Sequence, residues 1–299
     1  MNSFKTRTFA DWAGKFTAGR LLIALILVGL LAGCAVIDLG TAIKLGKVAV
    51  DVVKSFEDFT PEQEYYIGRT VGALIVDKYP PADDKTANQY LNILGQMLAQ
   101  ASDMPETYAG YRFLLLASDE INAFAAPGGL IFVSRGLLRC CPNEAAAAAV
   151  LAHEISHVQF KHGLQAIRKA RITAALTNAA LEGAKALGGD LAELTQTFGD
   201  SVADITTTLI TKGYSRESEK EADSNAVTIL KRVGYDPNGM VDMLKVMQTK
   251  LHPGGLDFAK THPSPETRIA YIQEKIGAYA EVKPNKARQQ RFSAALGKL

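Results

Sequence analysis

Residues 144–157 run EAAAAAVLAHEISH, and no other stretch restricts the fold so tightly. Ala and Leu are strong helix formers. Asn143 is placed to cap the helix, Pro142 stands just outside it, and Gly163 is a natural stop. A helix that is apolar on every side belongs in a core. This one carries His153, Glu154 and His157 inward, and burying those groups without partners or metal is costly.

The three residues form H-E-x-x-H. Positions four apart share a helix face, so His153 and His157 can hold one Zn²⁺ at roughly 2.0–2.1 Å each. Glu154 lies about 100° round from His153, where it can reach a water beside the metal without ligating, as a general base does. The third ligand must come from elsewhere. His162 falls nine residues after His153, on the far side of a continued helix, and Phe160 and Gly163 break the longer H-E-x-x-H-x-x-G-x-x-H spacing. That makes His162 a helix C-terminal residue facing the dipole. The run Tyr214–Asp223, YSRESEKEAD, opens a second helix near an N-cap at Ser215. Glu219 and Asp223 share one face, which suits a ligand and an acceptor for a ligand His N–H, while Glu217 and Glu221 point to solvent. Four acids compete here, and spacing alone leaves the choice open.

Four stretches taken together carry a family resemblance: INAFAAPGGLIFVSRGLL, HEISHVQFKHG, SRESEKEAD and THPSPETRIA, in that order. They resemble the HtpX-like zinc metallopeptidases, a gluzincin group that takes in CAAX prenyl endopeptidases and BepA- and LoiP-like envelope proteases. The resemblance spans about residues 60–280. It implies an α+β, mainly helical zincin-like fold with a small sheet beside the active-site helix. The family pattern S-R-x-x-E-x-x-A-D implies Glu219 as the third ligand of one zinc ion per chain and Asp223 as the residue that orients a ligand histidine. The His-Pro motif maps onto His262-Pro263, which implies a switchable fourth ligand or a transition-state donor at His262, with Arg268 following near the site. Asn122, Ala123, Gly128 and Gly129 fall on the family's strand beside the active site, where a substrate backbone would pair; a plain hairpin turn is the alternative.

The remaining chain sets the context. Lys5, Arg7, Lys15 and Arg20 precede the apolar run Leu21–Leu31, and Leu31-Ala32-Gly33-Cys34 resembles a bacterial lipoprotein box. Residues 1–33 thus read as a signal peptide, with Cys34 as the lipidated N-terminus and residues 34–59 as a tether, an amphipathic helix or a core helix. Ala35 after the cysteine resembles an outer-membrane address on the periplasmic side. The first 33 residues hold four of the 33 basic residues and one of the 31 acidic ones, so the remainder is near neutral and nucleic acid is not an expected partner. Residues 60–280 are expected to form the catalytic domain and 281–299 a solvated tail. Helices are expected from Thr60 to about Lys78, from Asp83 or Asp84 to about Ala101, from Asn238 to Thr249 and, after the lead-in Thr261–Glu266, through Ile276, with strands at 112–116, 121–126 and 130–133. The Ala-, Gly- and Thr-rich segment 169–212 fits a lid or a helical hairpin. Adjacent Cys140 and Cys141 are expected to be free thiols, or to bridge between molecules.

The expected function is zinc-dependent endoproteolysis of misfolded or misassembled envelope proteins, at a membrane reached through the lipid. Two other readings remain at this level: a latent protease acting mainly as a chaperone or assembly factor, and a zinc-stabilised structural lipoprotein, which would have no use for Glu154.

Overall fold

The computed structural model describes residues 58–170, 172–173, 213–250, 262–280, 282 and 285–299. The expectations for the signal segment, Cys34, the tether and most of 169–212 lie outside the described residues.

Capping chemistry sets the element boundaries. Helix α1 (Pro61–Lys78) starts at a capping box in which Thr60 accepts from the Gln63 backbone and Gln63 accepts from the Thr60 N–H. Helix α2 (Lys85–Gln100) is capped by the Asp84 carboxylate. Strands β1 (Arg112–Leu116), β2 (Ala123–Ala126) and β3 (Leu130–Ser134) form a sheet of order β1-β3-β2. β1 pairs parallel with β3, Phe113 beside Ile131, and β2 pairs antiparallel with it, Phe124 beside Phe132. A short helix α3 (Arg135–Leu138) leads to α4 (Glu144–Gln159), capped by Asn143. Then follow α5 (Arg216–Arg232), capped by Ser215, α6 (Asn238–Lys250), α7 (Pro265–Ile276), capped by Ser264, and α8 (Lys286–Leu296), capped by Asn285. The α+β expectation holds.

Helix α4 is the centre of the core. Its residues Ala146–Val158 are all buried, with α5 and α6 packed along it and α2 behind. Small side chains make this possible: Gly239 of α6 lies so close that a Cβ there would meet the Ala145 carbonyl carbon at 2.7 Å. Met240, Met243, Leu244 and Met247 of α6 are core residues, as their spacing suggests. Cys140 and Cys141 are free and buried, and burial raises both thiols above their ordinary range. Among the described residues, no helix is long and apolar enough to cross a membrane.

Two expectations are corrected. Helix α4 does not run on to Gly163: it ends at Phe160, and Lys161 takes a left-handed conformation, φ 55°, that turns the chain back. Its ammonium pairs with the buried Glu64 of α1. The stretch expected to be a solvated tail contains α8, whose Phe292 and Leu296 enter the core. Arg291 of this helix reaches the buried Glu144 at the start of α4 from Nε (2.6 Å) and Nη2 (2.5 Å), and Tyr90 and Tyr235 donate to the same carboxylate at 3.0 and 2.6 Å. A buried carboxylate needs such partners. Arg291→Met is expected to lower stability by about 1–2 kcal/mol, the head group being half exposed. The denaturation midpoint checks this, and Glu144→Gln in the same background should recover part of the loss.

Candidate active site

His153 and His157 lie one turn apart on the buried end of α4, their ring centroids 4.7 Å apart. Their Nε2 atoms approach to 3.1 Å. Glu219, in the first turns of α5, faces both: its Oε2 lies 3.6 Å from His153 Nε2 and its Oε1 3.4 Å from His157 Nε2. His262, just ahead of α7, brings Nδ1 to 2.7 Å from Glu219 Oε2. One atom from each of these four residues lies within 4.8 Å of all the others, and all four residues are buried.

This arrangement fits a metal ion. Tetrahedral bonds of roughly 2.0–2.2 Å place neighbouring ligand atoms about 3.3–3.6 Å apart, close to the 3.1, 3.4 and 3.6 Å spacings among His153, His157 and Glu219. Glu219 Oε1 is buried and makes no hydrogen bond. An ionised oxygen left so in a core is costly unless a cation meets it. Imidazole and carboxylate donors together suit a borderline transition-metal ion.

Asp223, one turn beyond Glu219, accepts from His153 Nδ1 at 2.8 Å, which turns Nε2 toward the cluster. Arg268 of α7 grips Asp223 in a bidentate pair, Nε at 2.9 Å and Nη2 at 2.6 Å, and Tyr271 donates to the same carboxylate. Burial alone would raise Asp223, but Arg268 and His153 hold it well below the usual carboxylate range. Burial alone would lower His153; Asp223 outweighs it and raises the ring to about 9. His157 has no carboxylate on its Nδ1, and burial brings it down to about 3. Glu219, which burial would raise, is held well below its ordinary value by His262, His153 and His157.

Glu154 points out of the cluster into a narrow cleft that it lines with Val71, Ile75, Phe124, Tyr214 and His262. Burial pushes its carboxyl up to about 7, the range in which a group can both take and give a proton at neutral pH. Ala123 and Ala125 line the same cleft on β2, one of the two edge strands of the sheet.

The other residues of the strand motif sit differently. Asn122 uses its side-chain oxygen on the Ala123 N–H and its own N–H on Ser134, which fixes the start of β2. Gly128 and Gly129 have φ of 74° and 96°, and their freedom is spent inside the fold. A Cβ on Gly128 would meet Tyr65 Cα of α1 at 2.8 Å, and one on Gly129 would meet Thr107 Oγ1 at 2.9 Å.

Besides Tyr271 of the Asp223 clamp, sequence reasoning missed three residues. His162 is buried against His157, the two Nδ1 atoms 2.8 Å apart, and burial holds it below its ordinary value. Glu221, expected in solvent, is half exposed yet bonds His162 Nε2 at 3.1 Å. Tyr214 stacks on the His157 ring, centroids 4.3 Å apart, and donates its hydroxyl to the Ala125 carbonyl of β2 at 3.1 Å. Its place immediately before the Ser215 cap was the only signal for it.

Comparison with known proteins agrees with this constellation. The model of peptidase family M48 matches residues 85–276. The beta-barrel assembly-enhancing protease of Escherichia coli K12 is 31% identical over 214 residues, covering 69% of this chain and 41% of that protein. The mitochondrial metalloendopeptidase OMA1 of Schizosaccharomyces pombe is 33% identical over 155 residues, covering 51% of this chain and 43% of that protein. The metalloprotease LoiP of E. coli K12 is 26% identical over 266 residues, covering 86% of this chain and 96% of that protein. The chain thus spans about two fifths of the length of the assembly-enhancing relatives.

Metal uptake by the cluster is expected to be linked to protons. With His153 held up to about 9, the ring carries a second proton at neutral pH, on the Nε2 that faces the cluster, and a metal ion must displace it. Affinity for a divalent ion should therefore climb about tenfold per pH unit from neutrality up to about 9 and then level off. Calorimetric titration across that range reads the slope, and a flat profile would count against His153 as a ligand.

Proposed function

The chain belongs to peptidase family M48, and on that premise we propose that it is a zinc-dependent endopeptidase of the bacterial cell envelope. In this reading it hydrolyses misfolded or misassembled envelope proteins and is held at the periplasmic face of the outer membrane by a lipid on Cys34. The observation that carries the chemistry is Glu154. It is buried in a cleft beside the four-residue donor cluster, stands outside that cluster, and has its carboxyl raised to about 7. A structural zinc site has no need of such a residue.

His153, His157 and Glu219 would hold the zinc, which supplies Lewis-acid polarisation of a carbonyl and a lowered pKa for water. The chain's own residues do the rest. The Glu154 carboxylate takes the proton of the attacking water and passes it to the departing amine nitrogen, and burial keeps it basic enough for the first step and acidic enough for the second. Asp223, clamped by Arg268 and Tyr271, fixes the tautomer and direction of His153. β2 runs along the cleft at Ala123 and Ala125, where an extended peptide could pair as in strand addition once the Tyr214 hydroxyl leaves the Ala125 carbonyl and Asn122 leaves the Ala123 N–H. His262 lines the cleft as well, with its Nδ1–H given to Glu219, and its ring would have to turn or take a second proton before it could donate to a developing oxyanion.

The envelope assignment rests on the lipoprotein-box residues and on relatives whose names state beta-barrel assembly and metalloprotease activity. A second reading has its own support. His262 stands among the donors, 2.7 Å from Glu219, and as a fourth ligand it would close the position a substrate needs. The protein would then be a latent protease that serves mainly as an assembly factor.

Casein cleavage, measured beside zinc content, tests both. Glu154→Gln is expected to keep zinc and lose about 10²–10⁴-fold in cleavage, and a chelator should abolish cleavage by the unaltered protein. Unchanged cleavage in Glu154→Gln would overturn the peptidase mechanism. Under the latent reading the unaltered protein cleaves little and His262→Ala cleaves faster; under the plain peptidase reading His262→Ala cleaves more slowly.

A further inference from the structure

Helix α5 places four acids at alternate positions, Glu217, Glu219, Glu221 and Asp223, and the last three reach the site. Glu219 joins the donor cluster, and Asp223 fixes His153 directly. We propose that Glu221, acting through His162, does for His157 what Asp223 does for His153, so that His162 and Glu221 are positioning residues for the second metal ligand. The inference rests on the reading of His157 as a ligand.

The hydrogen-bond geometry allows one arrangement of neutral rings. Glu221 Oε2 lies 3.1 Å from His162 Nε2, and a carboxylate only accepts, so Nε2 carries the hydrogen. His162 Nδ1 is then an acceptor. It lies 2.8 Å from His157 Nδ1, which must donate to it. His157 Nε2 is left with its lone pair, and this is the atom that faces Glu219 and His153. The opposite assignment would set a lone pair of His162 against the Glu221 carboxylate and put a hydrogen on His157 Nε2, where a metal has to bind. Burial of His162 gives this choice weight, because water cannot stand in for the missing acceptor.

The turn that makes the contact is local. The chain leaves α4 at Phe160 and reverses at Lys161, whose left-handed φ of 55° brings His162 back under His157. Lys161 is held there by Glu64. On an uninterrupted helix His162 would face away.

The test measures zinc affinity by competition with a chromophoric chelator, together with the visible spectrum of the Co²⁺-loaded protein. His162→Phe keeps a ring but removes the acceptor, and should weaken zinc by about ten- to a hundredfold and alter the cobalt bands. His162→Asn can set a carbonyl oxygen near the old Nδ1 position and should restore most of the affinity. Glu221→Ala should weaken zinc in the same direction by less, and the double variant His162→Phe/Glu221→Ala should bind no worse than His162→Phe, since Glu221 acts only through His162. Circular dichroism melting of the metal-free proteins accompanies each variant; if His162→Phe does not fold, His162→Asn and Glu221→Ala carry the comparison, with Glu221→Ala expected weaker than the unaltered protein. The proposal is overturned if the unaltered protein binds one zinc and Glu221→Ala and His162→Phe bind within about twofold of it, or if His162→Asn is as weak as His162→Phe. An unaltered protein that folds and binds no zinc would sink the ligand reading itself.

Discussion

The pairing of Asp223 with Arg268 is the contact on which the site's geometry depends. Both are fully buried, and Arg268 is among the largest side chains with almost no exposure. Two isolated charges in such a place would be costly, and a bidentate grip with Tyr271 and His153 on the remaining positions offsets the cost. The pair joins α5 to α7 and, through His153, both of them to α4. Because α7 is fixed in this way, His262 ahead of it arrives at the donor cluster. Removing one partner of a buried pair leaves the other uncompensated, typically at about 3–5 kcal/mol. In this fold the same loss would disturb three helices and two donors.

Much of this was legible because it is written locally. Capping residues announce themselves by type and spacing: Thr60 with Gln63, Asp84, Asn143 and Ser215 each sit where the helix starts. The H-E-x-x-H face follows from the helical repeat, and the Ala-rich approach announces burial. Glu219 was harder, since four acids shared one short stretch, and only the pattern around it separated them.

What stayed hidden depends on chain reversals and on sparse contacts. His162 was assigned to the wrong side because a continuous helix was assumed where Lys161 breaks it. Glu221 shows half its surface to water, so its composition and position suggest only solvation. Helix α8 is polar along most of its length and rests on Phe292 and Leu296, too few apolar residues to stand out from a frayed end. The glycines of the strand motif mark a close approach, as glycine often does, with α1 at Gly128 and with Thr107 at Gly129.

The Glu144 contacts bear on the order in which the protein can be completed. Glu144 opens the helix that carries His153, Glu154 and His157, and its carboxylate is enclosed by Tyr90, Tyr235 and Arg291. Tyr90 precedes it in the chain. Tyr235 follows 91 residues later and Arg291 147 residues later. A chain folding from its N-terminal side can therefore form the motif-bearing helix long before the cation at its head is in place. Until α8 has been made, a carboxylate destined for the interior lacks its counter-charge, and the helix retains a reason to stay loosely docked.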